Sequence, residues 1–305
     1  MVESFNYKSL EKKETTQQSP YVVSQDIGIL MKKWAKERNF NLPNEEFITQ
    51  LRSEFAQFMK RIFPSFESVN ENELSNGLRS LVESTELFSI SLDRVYFQSN
   101  PSIDISRLVD NEGKDKGLGR RRDSSSLLGQ FKKLKKLDIK EAVLVDDVVF
   151  SGSLVERIMN VLSDINIKIP VICAGIAIKE GIDIIAKSGK ELRAVKIYDK
   201  VIDEVCERDF YPGVPFCGRS LNSCDNVGIP YILPFGDPGK WASIPQEWQK
   251  PFSQFCLRQS IKLFEKVENC SGRYIYCSDL DRKIISLPSN NTRFISSLKQ
   301  FLQEI

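Results

Sequence analysis

Residues 141–155, EAVLVDDVVFSGSLV, constrain this chain more than any other stretch. Ala142, Val143, Leu144 and Val145 make an uninterrupted apolar run, the pattern of a strand covered on both faces. The run ends in two adjacent carboxylates, Asp146 and Asp147, and a Ser151-Gly152-Ser153 turn follows. The apolar spacing over 154–162 then predicts a helix. Backbone amides at a helix start lack intrahelical acceptors and favour an anion. Gly152 permits close approach of the backbone, and the Ser151 and Ser153 hydroxyls add donors.

Around this segment the texture alternates. Strands are expected over 94–98, 142–145, 170–178 and 192–198, with helices over 154–162 and 182–187. Strands alternating with helices predict an α/β fold, a parallel sheet with helices on both faces, whose ligands bind at the carboxyl ends of the strands. Upstream, Ile27, Leu30, Met31 and Trp34 fall at i, i+3, i+4, i+7, while Phe47, Leu51, Phe55 and Met59 recur every fourth residue. Asn44 is placed to cap the second of these helices and Pro64 to end it. Downstream of Asp199, prolines, glycines and aromatics predict an ordered, loop-rich lid. A short strand over 274–277 lies between helices expected over 251–267 and 293–304. The chain therefore reads as a mainly helical region (1–85, its first 20 residues polar and loosely held), an α/β core (86–200) and a C-terminal hood (201–305).

Composition excludes several chemistries. There is no histidine, so imidazole bases, Ser-His-Asp machinery and histidine zinc sites are ruled out. The seven cysteines are scattered, with no Cys-x-x-Cys pair, as expected for reduced thiols. A formal charge of +2 leaves any basic patch local, and no segment has the apolar length of a membrane span. A cytoplasmic protein is expected.

Phosphate at the amide-lined turn and a vicinal diol at the two carboxylates together describe a ribose 5-phosphate pocket. The segment resembles the phosphoribosyl pyrophosphate (PRPP) motif of type I phosphoribosyltransferases, in which an apolar strand ends in two acids, two aliphatics and a hydroxyl-rich glycine loop. The resemblance implies a phosphoribosyltransferase-like, Rossmann-like sheet. It further implies that Asp146 and Asp147 hold the ribose hydroxyls, with Val149, Phe150, Ser151, Gly152, Ser153 and Leu154 around the 5′-phosphate. Phe150 and Leu154 depart from the pattern, standing where hydroxyl residues are usual. A structural acidic strand end is the plain alternative. Walker and dinucleotide glycine patterns are missing, and the Asp279-x-Asp281 run has too little chain after it for a haloacid-dehalogenase-type fold.

The same resemblance calls for a pyrophosphate loop, for which Ser99 and Asn100 are candidates beside an ordinary strand-end turn. It also calls for a mobile cationic loop, matched in order by residues 110–126 with Lys114, Lys116, Arg120, Arg121 and Arg122. A solvated loop, or a nucleic-acid patch continuing into Lys132, Lys133, Lys135 and Lys136, are the other readings of that stretch. Over the acceptor base the resemblance expects an aromatic hood, with Phe210, Tyr211, Phe216 and Trp241 as candidates, against their being the lid's own core. The implied reaction transfers phosphoribosyl from PRPP to a nitrogen acceptor, a base or nucleotide, with release of pyrophosphate. Mg²⁺ arrives with the substrate, and no residue is assigned as a resident metal ligand. Two other functions stay open: a PRPP- or nucleotide-binding regulator without turnover, and an effector of a bacterial conflict (anti-phage) system that meets a protein partner through its helical N-terminal region.

Overall fold

The computed structural model describes residues 19–110, 112–121, 124–222, 226–288 and 291–305. The reading of the first 18 residues as loosely held, and the site roles and thiols given to Arg122 and Cys224, fall outside them. The chain runs β1 (Tyr21–Ser24), α1 (Ile27–Arg38), α2 (Glu45–Ile62), β2 (Phe66–Val69), α3 (Glu71–Glu83) and β3 (Phe88–Ser91). A hairpin follows, β4 (Ile105–Val109) and β5 (Asp115–Arg120), then α4 (Leu127–Lys135), β6 (Ala142–Val149), α5 (Ser153–Asp164) and β7 (Val171–Ile178). Next come α6 (Lys179–Lys187), β8 (Glu191–Tyr198), β9 (Asp203–Cys206), β10 (Arg219–Leu221) and β11 (Val227–Ile229). The chain closes with α7 (Pro238–Ala242), α8 (Gln246–Ser271), β12 (Lys283–Ile284) and α9 (Phe294–Glu304).

The central sheet, ordered β3-β6-β7-β8, is parallel throughout. Val143, Val145 and Cys173 pack on the side of α3, whose Leu74, Leu78 and Val82 are buried there. Ala142, Leu144, Ile172 and Ala174 belong to a second core, with Phe131 of α4, Val155 and Leu162 of α5, and Ile185 of α6. Helices thus cover both faces, which is why β6 and β7 read as continuous apolar runs. The fold is the expected α/β class.

Two further sheets flank this one. β2-β1-β9 is parallel, and it joins a strand from near the start of the chain to one beyond residue 200. The mixed sheet β12-β11-β10-β4-β5 carries the hairpin, with β10 parallel to β4. Helical periodicity held in the N-terminal region: α1 buries Ile27, Leu30, Met31 and Trp34, and α2 buries Leu51, Phe55 and Met59. The Asn44 side chain accepts from the Phe47 amide at 3.2 Å, and α2 ends just before Pro64.

Three expectations are corrected. Residues 94–98 are not a strand; the core strand is β3, and the Asp93 carboxylate collects the amides of Val95, Tyr96 and Phe97, each at 2.7 Å, curling the segment around itself. The stretch 110–126 is not a simple loop, because β5 pairs antiparallel with β4. Residues 274–277 form no strand: Tyr276 makes an isolated bridge to Arg293 and a 3-10 turn, Cys277–Asp279, follows. Among the described residues no helix is long and apolar enough to cross a membrane, and the described cysteines form no disulfide.

Candidate functional site

Residues from all three sheets line a cleft of about 960 Å³ beyond the carboxyl end of β6. β3 pairs with β6 only as far as Ser91 opposite Val145, with the Leu92 amide closing on the Val145 carbonyl at 2.8 Å. β7 accompanies β6 further, to Val149. The strand therefore continues four residues past its expected end. Asp146 and Asp147 stand where it has lost its neighbour on one side, and both line the cleft.

The two acids differ. Asp146 is 6% exposed, with one carboxylate oxygen accepting from the Asp147 amide at 3.0 Å. Burial first, then the neighbouring Asp147 and Asp93 charges, push its carboxyl well above the usual range. Asp147 is more open, with its side chain 24% exposed, and it accepts from the Val148 amide at 2.9 Å. Asp93, beneath them, is raised to about 6 by burial and by Asp147. A buried acid beside a more open one offers two unlike oxygen pairs to the hydroxyls of a sugar.

After β6 the chain turns through Gly152, at φ +74°, a left-handed conformation that glycine adopts without strain. α5 starts at Ser153. Phe150, Ser151 and Leu154 line the cleft; the Ser151 and Ser153 hydroxyls lie 3.0 Å apart. Val149 does not line it, because its side chain enters the helix-side core, and neither Gly152, which is buried, nor Ser153, which is exposed, is part of the wall.

Opposite the acids stand three arginines: Arg208 and Arg94, which were not among the expected site residues, and Arg121, which was. Arg208 lies just past β9, its guanidinium paired with the fully buried Asp26 and 3.8 Å from Asp147. Asp26 also accepts from the Arg208 amide at 3.0 Å; burial lifts its carboxyl to about 7 although Arg208 opposes the shift. Arg94, in the segment curled on Asp93, pairs with Asp104. Arg121 donates to the Ile105 carbonyl at 2.6 Å and lies over the Phe216 ring. Burial first, and then Arg208, lower its affinity for its proton, as expected where cations crowd with too little counter-charge. The Arg208 Nε is buried with no hydrogen-bond partner among the described residues.

Of the expected cationic loop, Arg120 and Arg121 line the cleft, but Lys114 and Lys116 do not: Lys114 is exposed in the hairpin turn and Lys116 pairs with Asp110 at 3.0 Å. Ser99 and Asn100 also lie off the cleft, because the curl at Asp93 carries them away and Leu92 and Arg94 take the position after the core strand. Phe210 and Tyr211 are no hood aromatics. Both are fully buried, Phe210 against Phe252 and Phe55, Tyr211 against Phe55, where α2 and α8 meet. Trp34, Phe150, Phe216, Tyr231 and Trp241 are the aromatics that line the cleft. Arg94 and Arg208 carried no signal in the sequence, since each comes from a different segment far from the acid pair.

No family model matches the sequence, and no curated protein matches it. Among solved structures the chain is similar over part of its length to an orotate phosphoribosyltransferase from Aeropyrum pernix, at 15% identity with a TM-score of 0.25, covering 41% of this chain and 68% of that one. It is similar to UMP synthase of Leishmania donovani at 12% identity and a TM-score of 0.27, covering 43% of this chain and 28% of that one. For an adenine phosphoribosyltransferase from Thermoanaerobacter pseudethanolicus the values are 10% and 0.28, over 41% and 80%. Likenesses this distant carry no argument about chemistry, which rests on the residues of the cleft.

Proposed function

We propose that the cleft binds PRPP as its magnesium complex and transfers the phosphoribosyl group to a nitrogen acceptor with release of pyrophosphate. The observation that carries this reading is the pairing of unlike walls: Asp146 and Asp147 beside the turn into α5, with Arg94, Arg121 and Arg208 facing the same space. The 5′-phosphate would sit at the amides of that turn and at Ser151. The ribose hydroxyls would lie on Asp146 and Asp147, with the diphosphate towards the arginines.

Displacement at the anomeric carbon builds positive charge on the sugar and negative charge on the leaving group. Carboxylates near the first and guanidiniums near the second stabilise both in a site that excludes water. Among the described residues no three acid or thiol side chains converge as a metal cage, so the ion would draw its ligands largely from the substrate's own oxygens. With its carboxyl raised by burial, Asp146 can donate to a ribose oxygen in its protonated form, and approaching positive charge would favour its ionised form.

The reading is tested by titrating PRPP with Mg²⁺ into the protein in a calorimeter, then following pyrophosphate release over a panel of bases and nucleotides. Saturable binding with release supports transfer. Binding without release under every acceptor points instead to the regulatory alternative, which the Phe150 and Leu154 substitutions in the turn favour. The conflict-system alternative would require toxicity in cells that depends on Asp146 and Asp147. Absence of binding removes the phosphoribosyl reading.

A further inference from the structure

The cleft continues past the acid pair to a second wall, formed by β4, β10, the turn after β11 and α7, with a composition of its own. The Arg219 guanidinium, at the start of β10, stacks 4.9 Å from the Trp241 ring centre and 5.5 Å from that of Tyr231. The two rings are 5.4 Å apart, and Arg219 Nε donates to the Tyr231 hydroxyl at 3.3 Å. The pile presents a flat, positively charged platform to the cleft. Arg107, on β4 alongside β10, and Lys240, next to Trp241 in α7, line the same wall.

The carboxylates here feel these cations, Arg219 and Arg107 acting on Asp203 and Arg282 on Asp209, but take their hydrogen bonds from other groups. Asp203 accepts from the Ser243 hydroxyl at 2.8 Å, and Asp209 from the Gly218 amide at 2.8 Å. Among the described residues no acid pairs with Arg107, Arg219 or Lys240 within ion-pair distance. Two buried donors on this wall also lack any described partner, Trp241 Nε1 and Arg282 Nε. The other guanidinium nitrogens of Arg282 are satisfied, by the Gly218 and Cys217 carbonyls and the Ser220 hydroxyl, so its position is fixed and only Nε is left over. Buried N–H groups without acceptors are rare in folded proteins, and an absent ligand is one standing explanation. From the opposite side the hairpin turn presses on the platform: a Cβ added at Gly113 would lie 2.7 Å from the Trp241 ring.

We infer that this wall is the acceptor pocket, and that it takes a planar heteroaromatic nitrogen nucleophile carrying its own negative group, a carboxylate or a phosphate. The inference rests on the phosphoribosyl reading of the other end of the cleft. The ring would stack on the Arg219 guanidinium, which binds flat π systems and anions alike. Its anionic group would meet Arg107 or Lys240 and take the spare N–H groups of Trp241 and Arg282. In the reaction the acceptor's ring nitrogen forms a bond to the anomeric carbon. The bond from that carbon to the diphosphate oxygen breaks, its electron pair leaves with pyrophosphate, and pyrophosphate takes up the acceptor's proton.

The test uses the full chain and two matched pairs of probes, orotate against uracil and AMP against adenosine, each pair differing by one anionic group. Each is titrated in the presence of ribose 5-phosphate, which occupies the sugar site without a leaving group, and PRPP with Mg²⁺ is titrated separately. The anionic member of at least one pair should bind tenfold or more tighter than its neutral partner, and the successful pair tells carboxylate from phosphate. Arg219→Gln should cut that preference to under threefold while PRPP affinity stays within twofold. Should Arg219→Gln not fold, Trp241→Phe, which keeps a ring and removes the N–H, should weaken the anionic probe alone. Equal binding of charged and neutral partners, or no probe binding, with PRPP bound normally, overturns the acceptor pocket and leaves the phosphoribosyl site standing. Failure to bind PRPP overturns the phosphoribosyl reading itself and the acceptor role with it.

Discussion

Arg208 lies between two acids of opposite exposure, paired with buried Asp26 on one side and 3.8 Å from cleft-facing Asp147 on the other. Asp26 sits at the N-terminus of α1, on a strand-and-helix unit that the sequence places far from the site, so the cleft's chemistry is anchored in the N-terminal region.

Replacing Arg208 tests that anchor. Arg208→Met leaves Asp26 buried without its counter-ion, and breaking such a pair costs about 3–5 kcal/mol. A fall in the denaturant midpoint of that order is expected, and Asp26→Asn added to Arg208→Met should restore part of it. An unchanged midpoint in the single variant would show the pair to be energetically idle.

The acid pair should separate by role. Burial already disfavours the charged form of Asp146, so Asp146→Asn should change stability by less than about 1 kcal/mol. Both Asp146→Asn and Asp147→Asn should weaken binding of PRPP with Mg²⁺ by about tenfold or more in calorimetry, equivalent to about 1.4 kcal/mol. The double variant should fold and show no binding, and undiminished affinity in it would remove the ribose role from both residues.

Gly152→Ala probes the turn. The residue sits at φ +74°, and an added Cβ would lie 3.3 Å from the Gly181 carbonyl oxygen. A left-handed alanine costs about 1–2 kcal/mol. A lower thermal midpoint is expected together with weakened binding of ribose 5-phosphate. Loss of stability with full affinity would place the phosphate elsewhere.

Glu204 makes a pH prediction with a definite sign. Burial raises its carboxyl to about 8 from an ordinary 4.5, with the Ser24 hydroxyl at 2.8 Å opposing the shift. Between those values the folded chain holds a proton that the unfolded chain has released, so stability falls as pH rises through the window. Glu204→Gln carries no such proton. Its melting temperature should decline less than that of the wild-type chain between about pH 5 and about pH 8, and parallel curves would contradict the assignment.

Legibility in the sequence followed the range of the forces involved. β6, its turn and α5 were readable because strand burial, the acid pair and the helix start are written in consecutive residues. α1 and α2 were readable because a 3.6-residue period survives without tertiary context. β1 and β2, four residues each, offered too short a pattern inside a region dominated by helical spacing. Residues 94–98 looked like a strand from their β-branched and aromatic content, yet three amides bonded to Asp93 outweigh propensity. Phe210 and Tyr211 look like hood aromatics from their proline-rich context; only the packing of Phe55 and Phe252 shows that they belong to the interior. Arg94, Arg208 and Arg219 converge from distant segments, and nothing local marks a side chain whose meaning depends on what folds opposite it.

The pairing of β1 with β9 has a practical consequence for anyone dissecting this protein. A fragment starting near residue 86 would leave one edge of β9 with its ladder amides and carbonyls open to other chains, and would strip Asp26 from Arg208 in the same cut. Insoluble material from such a fragment would report a severed seam, and would say nothing about whether the remaining residues hold a working pocket.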